Sequence, residues 1–194
     1  MPAIATARKP RKPIVVHLGN VGEGRTQITS AKTRVFAHRF KKVRFVGIDA
    51  AHTKMDKGIK NAVQIRAGFR AGLRKLADSS VSIISSEMAL GYYGMFKLIP
   101  GKHAHEEPPR GIEAYTRDTL AVAHQKLKSG GKVLIVAGAV ETQRIQEALV
   151  GAGFRAKDTK TRRLKKNEYN MTPWTSNFND RGQELFHTTL VKQK

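Results

Sequence analysis

The chain predicts an α/β protein built on a mostly parallel sheet, and three features carry that expectation. Short apolar, β-branched runs recur at residues 14–18, 43–48, 81–85 and 132–137. Apolar positions at helical spacing fall between them. The first run breaks into a glycine cluster, Gly19, Asn20, Val21, Gly22, Glu23, Gly24, after which helix-compatible residues begin. Continuous apolar runs are what strands buried on both faces of a parallel sheet require. A strand that stops in glycines and turns into a helix lets backbone N–H groups approach a ligand, because glycine has no side chain in the way and tolerates positive φ.

Taken in order, residues 1–13 interleave Arg8, Lys9, Arg11 and Lys12 with Pro2, Pro10 and Pro13, a composition that packs no core. They are expected to form a flexible basic arm ahead of one domain, 14–194. After the glycine turn, Ile28, Ala31, Val35 and Phe36 keep helical spacing through Lys42. The second strand, 43–48, leads into Asp49, and residues 62–66 supply a third. A short helix over 69–76 carries Arg70, Arg74 and Lys75, followed by the fourth strand. Residues 87–111 are long and irregular, with Gly91, Gly94, Pro100, Gly101, Pro108 and Pro109. Such a segment is usually functional or disordered, and its place puts it over the carboxyl ends of the strands, where open α/β folds bind ligands. A helix over 113–128 should stop at Ser129, Gly130, Gly131. The fifth strand follows at 132–137. Ile145, Ala148, Leu149 and Ala152 mark one face of another helix, ended by Gly153. Beyond it comes an extended basic stretch, 155–166, and a last strand near 185–192.

At 194 residues the chain fits one domain with a sizeable core. No apolar run approaches the roughly 18 residues needed to cross a bilayer, and no segment resembles a signal peptide. A soluble, cytoplasmic protein with no membrane partner is expected. The absence of cysteine excludes disulfides, thiolate metal sites and cysteine nucleophiles. His103, His105, Glu106 and Glu107 lie in a proline-rich segment expected to be solvated, so no metal site is anticipated. A formal charge of +21 exceeds what solubility asks for and favours a polyanionic partner, with nucleic acid first. A basic proteome, or burial in a ribonucleoprotein, is the bland alternative.

The β-α units, the glycine turn, Asp49 after the second strand and Leu127-Lys-Ser-Gly-Gly-Lys-Val-Leu-Ile-Val-Ala-Gly138 together resemble the class I S-adenosylmethionine-dependent methyltransferases. A narrower likeness lies near the C-terminus. Ser176, Phe178, Asn179, Arg181, Gly182, Leu185 and His187 stand at the Thr, aromatic, Glu, basic, Gly, Leu and His positions of a segment found in the tRNA guanine-N7 methyltransferases. The resemblance implies a Rossmann-like methyltransferase fold, mostly parallel with an antiparallel C-terminal strand, using S-adenosylmethionine. Gly19, Asn20, Gly22, Glu23 and Gly24 would face its methionine and ribose portions, Asp49 its ribose hydroxyls and Phe69 its adenine. Glu87 and Asn179 are the candidate catalytic groups. Arg162, Arg163, Lys165, Lys166, Ser176 and Arg181 are the candidate substrate contacts, with RNA, tRNA above all, as partner. The chain also departs from the family: its acid before the glycine turn falls on His17, the acid after the third strand near Gly68, the acid after the fifth near Gly138, and an Asp-Pro-Trp-Pro motif after the fourth strand is absent. Two rivals follow: a methyltransferase fold that has lost catalysis and binds RNA, and a small-molecule methyltransferase.

Overall fold

The computed structural model describes residues 12–19, 36–49, 59–87, 89–90, 111–149, 151–165, 167–168 and 184–193. The basic arm up to residue 11, most of the glycine turn and the irregular segment 91–110 lie outside them. Seven strands form one sheet: β1 (Ile14–Leu18), β2 (Arg44–Asp49), β3 (Ala62–Arg66), β4 (Val81–Glu87), β5 (Leu127–Gly138), β6 (Thr159–Arg163) and β7 (Leu185–Val191). Their order is β3-β2-β1-β4-β5-β7-β6. The first five are parallel, and β7 runs antiparallel between β5 and β6. The expected α/β sheet with an antiparallel C-terminal strand is therefore the fold.

Strand alternation divides the core in two. Val16, Leu18, Val46, Ile48, Ile84, Val133 and Ile135 point to one face, where they pack with α1 (Phe69–Arg74), α2 (Ile112–Lys126) and α3 (Ala139–Ala148). Leu73, Leu120 and Ile145 are the helical contributions, each 1% exposed or less. Val15, Phe45 and Ala62 point to the opposite face and pack with Phe36, Ala37, Val43 and Ile59. Helix α1 lies so close to β2 that a Cβ at Gly72 would run into the Ile48 side chain. Only glycine permits that approach.

Three boundaries differ from expectation. Helical structure after the glycine turn ends at Arg39, short of Lys42. There Asn61 donates from Nδ2 to the Ala37 carbonyl (3.0 Å), an acceptor that a helix end leaves without a partner, and to the Val43 carbonyl (2.9 Å) just ahead of β2. Helix α2 stops at Lys126, and Ser129, Gly130 and Gly131 do not end it. They lie inside β5, where the pairing with β4 jumps from Val81–Leu127 to Ile83–Lys132. Gly130 (φ +73°) takes the left-handed conformation needed by this bulge. Its N–H donates to Lys192 O at 2.8 Å, and Lys192 N–H donates to Gly131 O at 2.9 Å. The basic stretch, lastly, contains an edge strand, β6. Thr161 faces α3, bonding Thr188 (3.1 Å) and Gln146 (3.3 Å), while Lys160 and Arg162 alternate to the other side. No helix among the described residues is long and apolar enough to cross a membrane.

Candidate active site at the carboxyl edge of the sheet

The parallel strands deliver their last residues to one edge. β1 ends at Leu18, and Gly19 turns the chain with φ +70°. A Cβ there would collide with Ala89 Cβ, just past β4, and reach within 3.5 Å of Phe69 Cζ. Glycine is required both by conformation and by space. The Gly19 N–H donates to Ile48 O at 3.0 Å, so this residue makes the turn and holds β1 to β2 while its own donor is occupied. Donors aimed at a cofactor would come from later in the turn. Asn20, Gly22, Glu23 and Gly24 lie outside the described residues.

Asp49 closes β2 with 8% exposure, paired across the ladder with Arg66. Its carbonyl accepts from Ala67 N–H at 3.0 Å. Phe69, expected beside adenine, is instead a core residue, 4% exposed. As the first residue of α1 it turns its ring inward beneath Gly19. The Phe69 N–H donates to Tyr115 Oη at 3.1 Å, which caps the start of α1 where Gly68 has no side chain to do so. Glu87 ends β4, half-buried.

Register brings the dispersed candidates into one row. Arg66 pairs with Asp49, Glu87 with Val136, Val136 with His187, and His187 with Arg162. Leu18 is flanked by Ile48 and Ser86, so Gly19 stands level with Asp49 and Glu87. Residues opposite each other in a ladder share a face. The row Arg66, Asp49, Gly19, Glu87, Val136, His187, Arg162 therefore crosses the whole sheet on the side away from α1, α2 and α3. At about 4.8 Å per strand, Asp49 and Glu87 are roughly 10 Å apart, and Glu87 and Arg162 about 14 Å.

The basic segment is less available than its composition implies. Arg162 donates two hydrogen bonds to Glu168, at 2.9 and 2.8 Å. These raise the Arg162 pKa and hold the Glu168 carboxyl at about 2, helped by the Lys165 N–H at 2.7 Å. Arg163 pairs with Glu184 at 2.7 Å, and Arg155 with Asp158 at 2.7 Å. Lys157 and Lys160 are exposed, and so is Lys165, whose charge helps to lower the Glu168 pKa. The acids Glu168 and Glu184 sit outside the twelve-residue window in which the cations cluster, so a local charge count misses them. Lys166, Ser176, Asn179 and Arg181 lie outside the described residues.

Three further residues belong to the site's surroundings. His17 holds the place of an acid before the glycine turn, yet it is 7% exposed, with ring centroids of Phe36 and Phe45 both at 5.9 Å. That is an aromatic packing role. Tyr115 ties α2 to the start of α1, with Arg70 over its ring at 5.8 Å. His187 lies in the row; the C-terminal motif contained it, but only register shows its neighbours. Among the described residues no group of His, Asp and Glu forms a metal site.

No protein-family model and no curated protein matches the chain. Solved structures do. The 16S rRNA (adenine(1408)-N(1))-methyltransferase of Catenulisporales acidiphilia, a variant solved with S-adenosylmethionine, superposes with TM-score 0.56 at 14% identity, over 94% of this chain and 87% of that one. The fold is that of the class I methyltransferases. The aminoglycoside resistance methyltransferase NpmB1 gives TM-score 0.55 at 16% identity, over 93% and 87% of the two chains. Haemonchus contortus phosphoethanolamine N-methyltransferase 2, with S-adenosyl-L-methionine, gives 0.58 at 13%, over 97% of this chain and half of that one. Methyltransferases of this fold thus include an rRNA enzyme and a small-molecule enzyme.

Proposed function

We propose that this chain is an S-adenosylmethionine-dependent RNA methyltransferase, and that its target is a guanine N7 in tRNA. The observation that carries the reading is the cross-strand row, which sets a buried strand-end carboxylate, a glycine that can be nothing else and a second carboxylate level with one another, with a cation three strands farther along the same face. S-adenosylmethionine supplies a methyl group on a sulfonium, and its transfer is an in-line displacement. Asp49 would accept from two ribose hydroxyls. Gly19 makes room where any side chain would collide. The chain's main contribution is alignment of two reactants. A guanine N7 carries an in-plane lone pair and no proton, so it asks for no base; Glu87 would orient that target, or take the proton of an amine or hydroxyl target. Asn179 offers a donor and an acceptor to a base edge. Phosphates would meet Lys157, Lys160 and Lys165 first, with Arg162 joining if Glu168 is displaced.

The RNA substrate is supported by the +21 charge and by the rRNA methyltransferase among the similar structures. His17 favours a second reading. Packed against the rings of Phe36 and Phe45, it leaves no carboxylate on β1 for a cofactor ammonium, as in a fold that has kept RNA binding and lost catalysis. Calorimetry separates the two: Asp49→Ala should abolish cofactor heat while the wild type shows it, and no heat from the wild type at high protein concentration would leave only RNA binding. Incubating unfractionated tRNA with labelled cofactor and analysing the nucleosides would identify the modified base. Label in any position other than guanine N7 overturns that assignment alone.

A further inference from the structure

His187 is the one polar side chain between Glu87 and Arg162 in the row, and the chemistry above gives it no task. Two strand intervals, about 10 Å, separate it from Glu87. It is half-buried, and its imidazole makes no hydrogen bond to any described residue. Neither cross-strand neighbour uses it. Val136 is aliphatic, and Arg162 is closed bidentately by Glu168. Beside it on the same face lies a small apolar cluster separate from the main cores, in which Leu164 and Leu185 are buried and only Val136 is partly exposed. A half-buried imidazole beside a partly exposed aliphatic side chain offers one donor and one acceptor, next to apolar surface, to the edge of a heteroaromatic ring.

We propose that His187 reads the target base, hydrogen-bonding its edge through the imidazole while Val136, backed by the buried Leu164 and Leu185, lies against the ring. This rests on the RNA methyltransferase reading. The charged groups facing His187 are Arg162 on β6 and Glu168 just beyond it, with Glu87 on β4. Burial and Arg162 lower its pKa from 6.5, against an upward pull from Glu168, so at neutral pH the ring is uncharged and presents one N–H and one lone pair.

The test uses the full chain and unfractionated tRNA. His187→Ala should lower kcat/KM about tenfold, the usual discrimination carried by one good base-edge contact, with unchanged cofactor affinity and urea midpoint. His187→Gln, which keeps a donor and an acceptor, should recover part of the loss. It should also erase a fall in wild-type kcat/KM below pH 6.5. Independently of turnover, the His187 imidazole resonance, assigned by its absence in the variant, should shift when tRNA is added without cofactor. Wild-type kcat/KM in His187→Ala, or an unmoved resonance at saturating tRNA, overturns the assignment and leaves the methyltransferase reading intact. A wild type that binds cofactor and methylates no RNA overturns both.

Discussion

Placing any side chain at Gly19 should unseat the carboxyl edge, and the cost can be worked from its two causes. Holding a non-glycine residue at φ +70° costs about 1–2 kcal/mol. Forcing its Cβ against Ala89 Cβ adds roughly 1–3 kcal/mol, the usual range for overpacking. Gly19→Ala should therefore lose about 2–5 kcal/mol, which at a urea slope of about 2 kcal/mol/M moves the denaturation midpoint down by about 1–2.5 M at constant slope. The two causes are separable. Ala89→Gly removes the Cβ that Gly19→Ala meets, so in that background the substitution should cost only the conformational part, about 1–2 kcal/mol. A double-mutant cycle should then show a coupling of about 1–3 kcal/mol. A Gly19→Ala protein within about 0.5 kcal/mol of wild type, or a cycle that closes additively, would refute the claim that β1 and β4 meet at this turn.

Other expectations are as direct. Leu120→Ala, at a site 1% exposed, should cost about 2–5 kcal/mol by calorimetry, and a loss below 1 kcal/mol would mean that α2 does not pack on the sheet as described. Asn61→Ala should cost about 1–3 kcal/mol, because it leaves the Ala37 and Val43 carbonyls without their donor; an unchanged melting temperature contradicts it. His124 and His187 both have pKa values lowered by burial, with Lys192 and Arg162 as lesser causes. The unfolded chain binds protons first as pH falls below 6.5, so stability is full above that value and declines through the lowered folded values; replacing both with Gln should flatten this limb of a stability–pH curve. Glu168→Gln opens the clamp on Arg162, so on the proposed RNA-binding reading affinity for RNA should rise and its logarithmic salt slope should steepen by about one phosphate contact; an unchanged slope shows that Arg162 meets no phosphate.

What the sequence disclosed follows from where its information is local. β1, β2 and β5 are legible because strands covered on both faces must be apolar throughout, as Val15, Val16, Phe45, Val46 and Val133 to Ala137 are. Gly19 and Asp49 were legible because a glycine turn and a strand-end acid are short-range patterns. β6 was hidden because an edge strand needs only one paired side, and Lys160, Arg162 and Arg163 read as solvated charge. Ser129 to Gly131 have the composition of a helix stop, and only pairing with β4 and Lys192 makes them a bulge. The inward turn of Phe69 depends on the angle at which α1 meets the sheet. The row linking Asp49 to Arg162 depends on register among strands separated by most of the chain, which no window of sequence contains.

The bulge in β5 fixes where the sheet can give. Lys192 is fastened to Gly130 and Gly131 by main-chain bonds and reaches Leu127 O through Nζ at 2.8 Å, so the far end of β7 is riveted at the sheet's amino edge. The opposite end, carrying Leu185 and His187, is held by the ladders to β5 and β6. The bonds from Lys192 to the bulge are thus added to the ladder at the amino edge, and amide exchange should slow from residue 186 toward residue 192.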